Sequence, residues 1–250
     1  MRSELEFPFD PLKRAEEVEE IVMKGGRRKY YRFRGARYYG GIATADMVGC
    51  CFLCAYCWNY ERNLRPDECG GEFCPPEEVA RRLLAICGKR GFNKVRLSGA
   101  EPILGRKSFE HILKVIEVIS AENPFLDFIL ETNGFILGAH PDFADELSRF
   151  RRLFVRISVK GWDERSFEKI SGACGRFFEF PIRALKALLA AGVNAWPAVM
   201  LETFGASGIE MLARKLKSEG ISPEEIEVEY LEPYPFVLEN LKKRSIPLQL

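Results

Sequence analysis

From about residue 42 the chain keeps a regular beat in which short β-rich runs alternate with helical runs. Strand signals fall at 42–48, 93–99, 126–132, 153–160, 194–201 and 226–231. Helical signals fall between them at 76–90, 106–121, 141–150, 163–171 with 179–192, and 206–219. Gly91, Gly192 and Gly220 stand where helix C-caps belong. Strands separated by helices of this length pair in parallel, because a parallel partner needs a long crossover. The strands are not apolar throughout, as strands covered on both faces would be. Arg96 and Ser98 share a face, as do Glu131 and Asn133, Arg156, Ser158 and Lys160, and Glu227 and Glu229. Val95, Leu97, Phe128, Leu130, Val155, Ile157 and Val159 occupy the other faces.

An α/β fold follows: a partial (βα)6 TIM-like barrel with helices on the apolar face, a polar lumen, and a site at the C-terminal strand ends. Pairing of the lumen charges with one another is the alternative to a ligand site. The expected division is a helix and hairpin extension over 1–41, a core over 42–235 and a tail over 236–250, disordered or covering the barrel mouth. Residues 11–24 read as an amphipathic helix. Residues 28–41, turning at Arg34-Gly35-Ala36-Arg37, read as a hairpin.

The chemistry concentrates in Cys50, Cys54 and Cys57, a C-x3-C-x2-C array with Tyr56 before its last cysteine. Three thiolates on one short loop can hold three corners of a 4Fe-4S cluster and leave one iron open. Alone, the triplet is also compatible with a zinc site completed by Cys69 or Cys74, in a non-catalytic protein. Cys51 is expected to turn away from the ligands. It reads as structural, as do Cys69, Cys74, Cys87 and Cys174. The two histidines, His111 and His140, also read as structural.

In order along the chain, these residues resemble the radical S-adenosylmethionine (SAM) superfamily, and within it the activating enzymes of pyruvate formate-lyase and other glycyl-radical enzymes. Ser98-Gly99-Ala100-Glu101 resembles the Gly-Gly-Glu motif, Glu131-Thr132-Asn133-Gly134 the Thr-Asn-Gly signature, and Ser158-Val159-Lys160 an Asp-x-Lys pair. Leu231-Glu232-Pro233-Tyr234 resembles a Leu-Pro-Tyr segment. The resemblance implies a 4Fe-4S cluster on Cys50, Cys54 and Cys57. It also implies S-adenosyl-L-methionine held by Tyr56, Ser98, Gly99, Ala100, Glu101, Asn133, Ser158, Lys160 and Tyr234, with Glu101 receiving the methionine ammonium. SAM would be cleaved reductively to methionine and a 5′-deoxyadenosyl radical that abstracts hydrogen, with ferredoxin or flavodoxin as electron donor. A glycyl-radical enzyme is the protein substrate such an activase would have. A tRNA- or small-molecule-modifying enzyme is the alternative, motivated by Trp58 after Cys57.

Lys29, Arg32, Arg34 and Arg37 interleave with Tyr30, Tyr31, Phe33, Tyr38 and Tyr39. This pattern suits single-stranded nucleic acid or tRNA loops; the preferred reading is a solvated hairpin closing the barrel bottom. The net charge of +1 gives no global pull on nucleic acid or anionic membranes. The acidic start Met1–Glu6, the lack of an apolar run of about 18 residues, and clustered cysteines predict a cytoplasmic protein with no membrane span.

Overall fold

The computed structural model describes residues 6–248. Most of the acidic start read above, Met1–Leu5, lies outside the described residues. The elements in chain order are α1 (Pro11–Val22), β1 (Met23–Lys24), β2 (Arg27–Ala36), β3 (Ile42–Met47), α2 (Tyr60–Leu64), β4 (Glu72–Cys74), α3 (Pro76–Arg90), β5 (Lys94–Ser98), α4 (Arg106–Glu122), β6 (Asp127–Thr132), α5 (Phe135–Ala139), α6 (Phe143–Ser148), β7 (Leu153–Ser158), α7 (Glu164–Ser171), α8 (Glu179–Ala190), β8 (Asn194–Met200), α9 (Leu201–Ser218), β9 (Glu227–Glu229) and α10 (Pro235–Lys243).

One sheet holds the strands in the order β1-β2-β3-β5-β6-β7-β8-β9, and β4 pairs with β2. From β3 to β9 every neighbour is parallel, so six strands form the expected partial barrel, open rather than closed. The sequence periodicity places all six of these strands within two residues at either end. α3 shows why the helices are equally legible. Proline sits at its start, Glu77 and Glu78 in its first turn, Lys89 and Arg90 in its last, and Gly91 at φ +68° ends it.

The apolar strand face packs against the helices. Val95, Leu97, Leu130, Val155 and Ile157 are fully buried there. On the other face, charges pair across the lumen: Arg96 to Glu131 at 2.7 Å, Arg156 to Glu227 at 3.1 Å and to Glu229 at 2.7 Å. Tyr39 Oη donates to Glu131 and Trp196 Nε1 to Glu227, closing this part of the lumen with protein groups.

Four expectations change. Residues 28–41 are not a self-contained hairpin: β2 runs straight from Arg27 to Ala36 and pairs antiparallel with β3, so the turn is at 37–41 and β3 is the second arm. Nor are its cations simply solvated. Lys29 is buried and donates to the carbonyls of Pro66 and Cys69, while Arg32 and Arg34 both grip Asp46. Residues 235–243 are the helix α10, with Val237 and Leu241 buried, rather than a structureless tail. α9 begins before the expected 206, with Gly205 at φ +61° and ψ 175° breaking its first turn. Among the described residues no helix is long and apolar enough to cross a membrane.

Candidate active site

The cysteine loop leaves β3 through Gly49, whose φ of +92° favours glycine. A Cβ there would lie 2.6 Å from Val18 and 2.9 Å from Val22, so α1 packs directly on the loop entry. Phe52 anchors the loop from beneath, with its ring 5.4 Å from Phe135 and 5.3 Å from Phe167. Leu53 and Ala55 donate backbone hydrogen bonds to the carbonyls of Ser171 and Ile170.

Three neighbouring strand ends converge on this loop. Asn59 Nδ2 donates to the carbonyl of Gly99 at 2.6 Å, and Glu101 N to the carbonyl of Gly49 at 3.2 Å. Gly99 has φ +84°, and a Cβ there would meet Tyr31, Asp46 and Met47 at 3.3 Å. Glu101 is buried, and its carboxylate accepts from Thr132 Oγ1 at 2.5 Å, Asn133 N at 2.7 Å and Ile103 N at 3.1 Å. Burial pushes its pKa up to about 8, Cys50 adds to this, and those three donors oppose it. From β7, Lys160 Nζ lies 5.2 Å from the Tyr56 ring centre. Burial alone would lower the Lys160 pKa, but Tyr56, Cys54 and Glu229 raise it above the ordinary lysine value.

The structure thus brings Tyr56, Gly99, Glu101, Asn133 and Lys160 into one hydrogen-bonded and electrostatic neighbourhood with the cysteines. Ser98 and Ala100 flank Gly99, half-buried. Ser158 accepts from Arg156 Nη1, which ties it to the lumen pairs. Tyr234 is exposed on the rim and stacks on Phe236.

All eight cysteines are free thiols. The Cys69 sulfur faces the carbonyl of Pro66 and the Cys74 sulfur that of Glu72, so neither completes a site with the triplet. Among the described residues no three His, Cys, Asp or Glu side chains are already arranged as ligands of one metal ion. Cys51 does not turn away as expected. Its sulfur takes the Asn133 amide at 3.2 Å, and the same amide lies 3.8 Å from the Cys50 sulfur.

These donors fit a cluster held by three thiolates. The sulfurs already face N–H groups: Phe52 N to Cys50 at 3.4 Å and Asn63 Nδ2 to Cys57 at 3.5 Å. Such bonds orient and tune metal-bound thiolates. Burial pushes Cys54 up to about 12 and Cys57 up to about 11, so without metal both hold their protons and iron would displace them.

A match to the Radical SAM superfamily model spans residues 45–218, which is most of the chain. The chain belongs to the radical SAM superfamily. Its cofactors are therefore a 4Fe-4S cluster and SAM, and the residues just described fit both. The fold matches a radical SAM methyltransferase from Sphaerobacter thermophilus with a TM-score of 0.61 at 15% identity, over 85% of this chain and 67% of that one. It also matches Streptococcus suis SuiB bound to S-adenosylmethionine, with a TM-score of 0.54 at 14% identity, over 83% and 45%. By sequence it is 31% identical over 145 residues to a probable GTP 3′,8-cyclase of Thermoplasma volcanium, covering 58% of this chain and 40% of that protein. The chain thus spans about two-fifths of that relative's length.

Sequence reasoning missed several residues of this neighbourhood. Asn63 joins the loop entry to its last cysteine by accepting from Gly49 N and donating to the Cys57 sulfur. Arg14 donates to the Asn63 carbonyl, and Arg28 to that of Glu101. Asp46, fully buried, takes Arg32 and Arg34. The available signal was Asp46 as the one charged residue of β3, opposite alternating arginines.

Proposed function

We propose that the radical chemistry of this enzyme acts on a small, anionic, ring-bearing molecule of the nucleoside triphosphate kind. The observation that carries this reading is the cationic and aromatic wall beside the cysteine loop. Arg32 and Arg34 converge on Asp46 at the C-terminal end of β3. Arg62 lies 4.6 Å over the Tyr31 ring, and Arg32 lies 5.5 Å from Tyr31 and 6.0 Å from the exposed Trp58. Three guanidiniums against one carboxylate leave a surplus of positive charge next to Gly99. Arginine forks suit phosphates, and exposed indole suits a base. The Thermoplasma relative, named a probable GTP 3′,8-cyclase, supports the same substrate class. The relatives named above are not activases, so the small-molecule alternative replaces the glycyl-radical activase role as the preferred reading.

Within this reading the bound cluster and SAM supply the organic radical, and the chain supplies position and exclusion of water. Lys160, between Tyr56 and Cys54, offers a cation to the SAM carboxylate. Glu101, with three donors on a carboxylate that can take about four, keeps room for the ammonium. The Gly99–Ala100 backbone, Ser98, Asn133 and Ser158 line the remaining contacts, and Tyr234 forms the outer rim. A low-potential ferredoxin or flavodoxin supplies one electron.

The test is anaerobic reconstitution with iron and sulfide, then dithionite and SAM with GTP, other nucleoside triphosphates or short peptides, measuring 5′-deoxyadenosine. A rise with a nucleoside triphosphate, and a KM increase of about tenfold or more in Arg32→Ala and Arg62→Ala with kcat nearly kept, are expected. Stimulation by peptides alone would sink the proposal.

A further inference from the structure

We propose that Arg14 and Arg28, from the N-terminal segment α1–β2, form a buried cationic collar that raises the reduction potential of the cluster held by Cys50, Cys54 and Cys57. This rests on the cluster reading of that loop. Both arginines precede residue 45, where the superfamily match begins.

Arg28 is wholly buried and Arg14 is 8% exposed. A buried guanidinium normally finds a carboxylate, because desolvation is otherwise uncompensated. The two buried arginines of the lumen do so: Arg96 and Arg156 both form ion pairs. Among the described residues Arg14 and Arg28 form no direct ion pair. Each donates once, to a carbonyl: Arg14 Nη2 to Asn63 at 2.5 Å and Arg28 Nη2 to Glu101 at 3.1 Å. Arg28 Nε and Nη1 and Arg14 Nε have no hydrogen-bond partner.

Both acceptors belong to residues that touch the cysteine loop. Asn63 donates to the Cys57 sulfur. Glu101 donates its N–H to Gly49, beside Cys50, and holds Asn133, whose amide lies 3.8 Å from the Cys50 sulfur. Burial lowers the Arg28 pKa to about 10, so it stays charged at neutral pH. Two positive charges without a direct carboxylate partner thus sit close to the cysteine loop, two hydrogen bonds from a sulfur for Arg14 and three for Arg28, with Glu19 and Glu101 acting on Arg28 only through space.

A cluster on three thiolates supplies the missing negative charge. One electron arriving from the external donor makes that assembly more negative by one unit. Nearby buried cations therefore stabilise the reduced form more than the oxidised form, and screening is weak at this depth. Arg14 and Arg28 are positioning residues; neither need touch SAM or substrate.

The experiment is an EPR-monitored redox titration of the cluster-loaded full chain, without SAM, for wild type, Arg14→Met, Arg28→Met, Arg14→Lys and Arg28→Lys. Iron and sulfide content is matched first. Each methionine variant is expected to hold about tenfold less reduced cluster at a fixed potential, a 59 mV downward shift for a one-electron couple. The lysine variants should stay within about twofold of wild type. Loaded methionine variants with unchanged potential overturn the proposal, as do lysine variants that shift as far as methionine. Failure of both methionine variants to fold would mark the arginines as structural props and also overturn it; if only one fails, the other decides. Failure of the wild type to load a cluster would instead remove the cluster reading itself.

Discussion

The lumen floor and the cysteine-loop collar are both rich in buried arginine, yet they are built on opposite terms. On the floor, Arg96 meets Glu131 from the neighbouring strand and Arg156 meets Glu227 and Glu229 of β9 across β8, while Tyr39 and Trp196 donate to the same Glu131 and Glu227 oxygens. In the collar, Arg14 and Arg28 rest on carbonyls alone. A compensated site holds itself together and asks for no ligand. One without direct ion pairs has room for further negative charge, and it lies on the side where the thiolates are.

The comparison breaks most sharply in apo-protein stability. Arg96→Met strands Glu131 on the lumen face and should cost about 3–5 kcal/mol in urea unfolding, while Arg96→Met with Glu131→Leu recovers much of it. Unchanged stability in the single variant would mean the floor pair is dispensable.

His111 sharpens the same contrast, because it adjoins the collar as a neutral group. Its Nδ1 donates to the Gly26 carbonyl at 3.1 Å, so its Nε2 accepts from Tyr30 Oη at 3.0 Å. Burial is the main cause that lowers its pKa to about 4, and Arg28 also contributes. The unfolded chain then binds more protons than the folded one between about pH 6.5 and 4. Stability is full above pH 6.5 and falls through this window by up to about 3 kcal/mol. His111→Gln should flatten that slope; an unchanged slope would assign it elsewhere.

Arg28→Met should behave unlike Arg96→Met. It breaks no direct ion pair and loses one hydrogen bond while removing a buried cation that Glu19 and Glu101 meet only through space, so apo stability should move by less than about 1 kcal/mol. A loss as large as that of Arg96→Met would erase the distinction between floor and collar. Arg37→Ala, on the exposed turn after β2, sets the baseline at about 0.5 kcal/mol or less.

Local signals made much of this molecule readable. The strand–helix beat located the six parallel strands, since period-2 and period-3.6 patterns depend only on near neighbours. The order of Cys50-x3-Cys54-x2-Cys57, Ser98–Glu101 and Glu131–Gly134 placed three loops at one end of the sheet, because parallel strands present their C-termini together. The hairpin was misread where pairing reached beyond the local turn: β2 matches β3, and the arginines on it answer to Asp46.

The sequence by itself therefore determined the barrel, the cysteine loop and the strand ends that face it. Only the tertiary structure decided which charges are matched. Arg14 meets Asn63 across 49 residues and Arg28 meets Glu101 across 73. Whether a guanidinium is solvated, paired or buried alone depends on what the fold stacks over it, and no spacing along the chain carries that information.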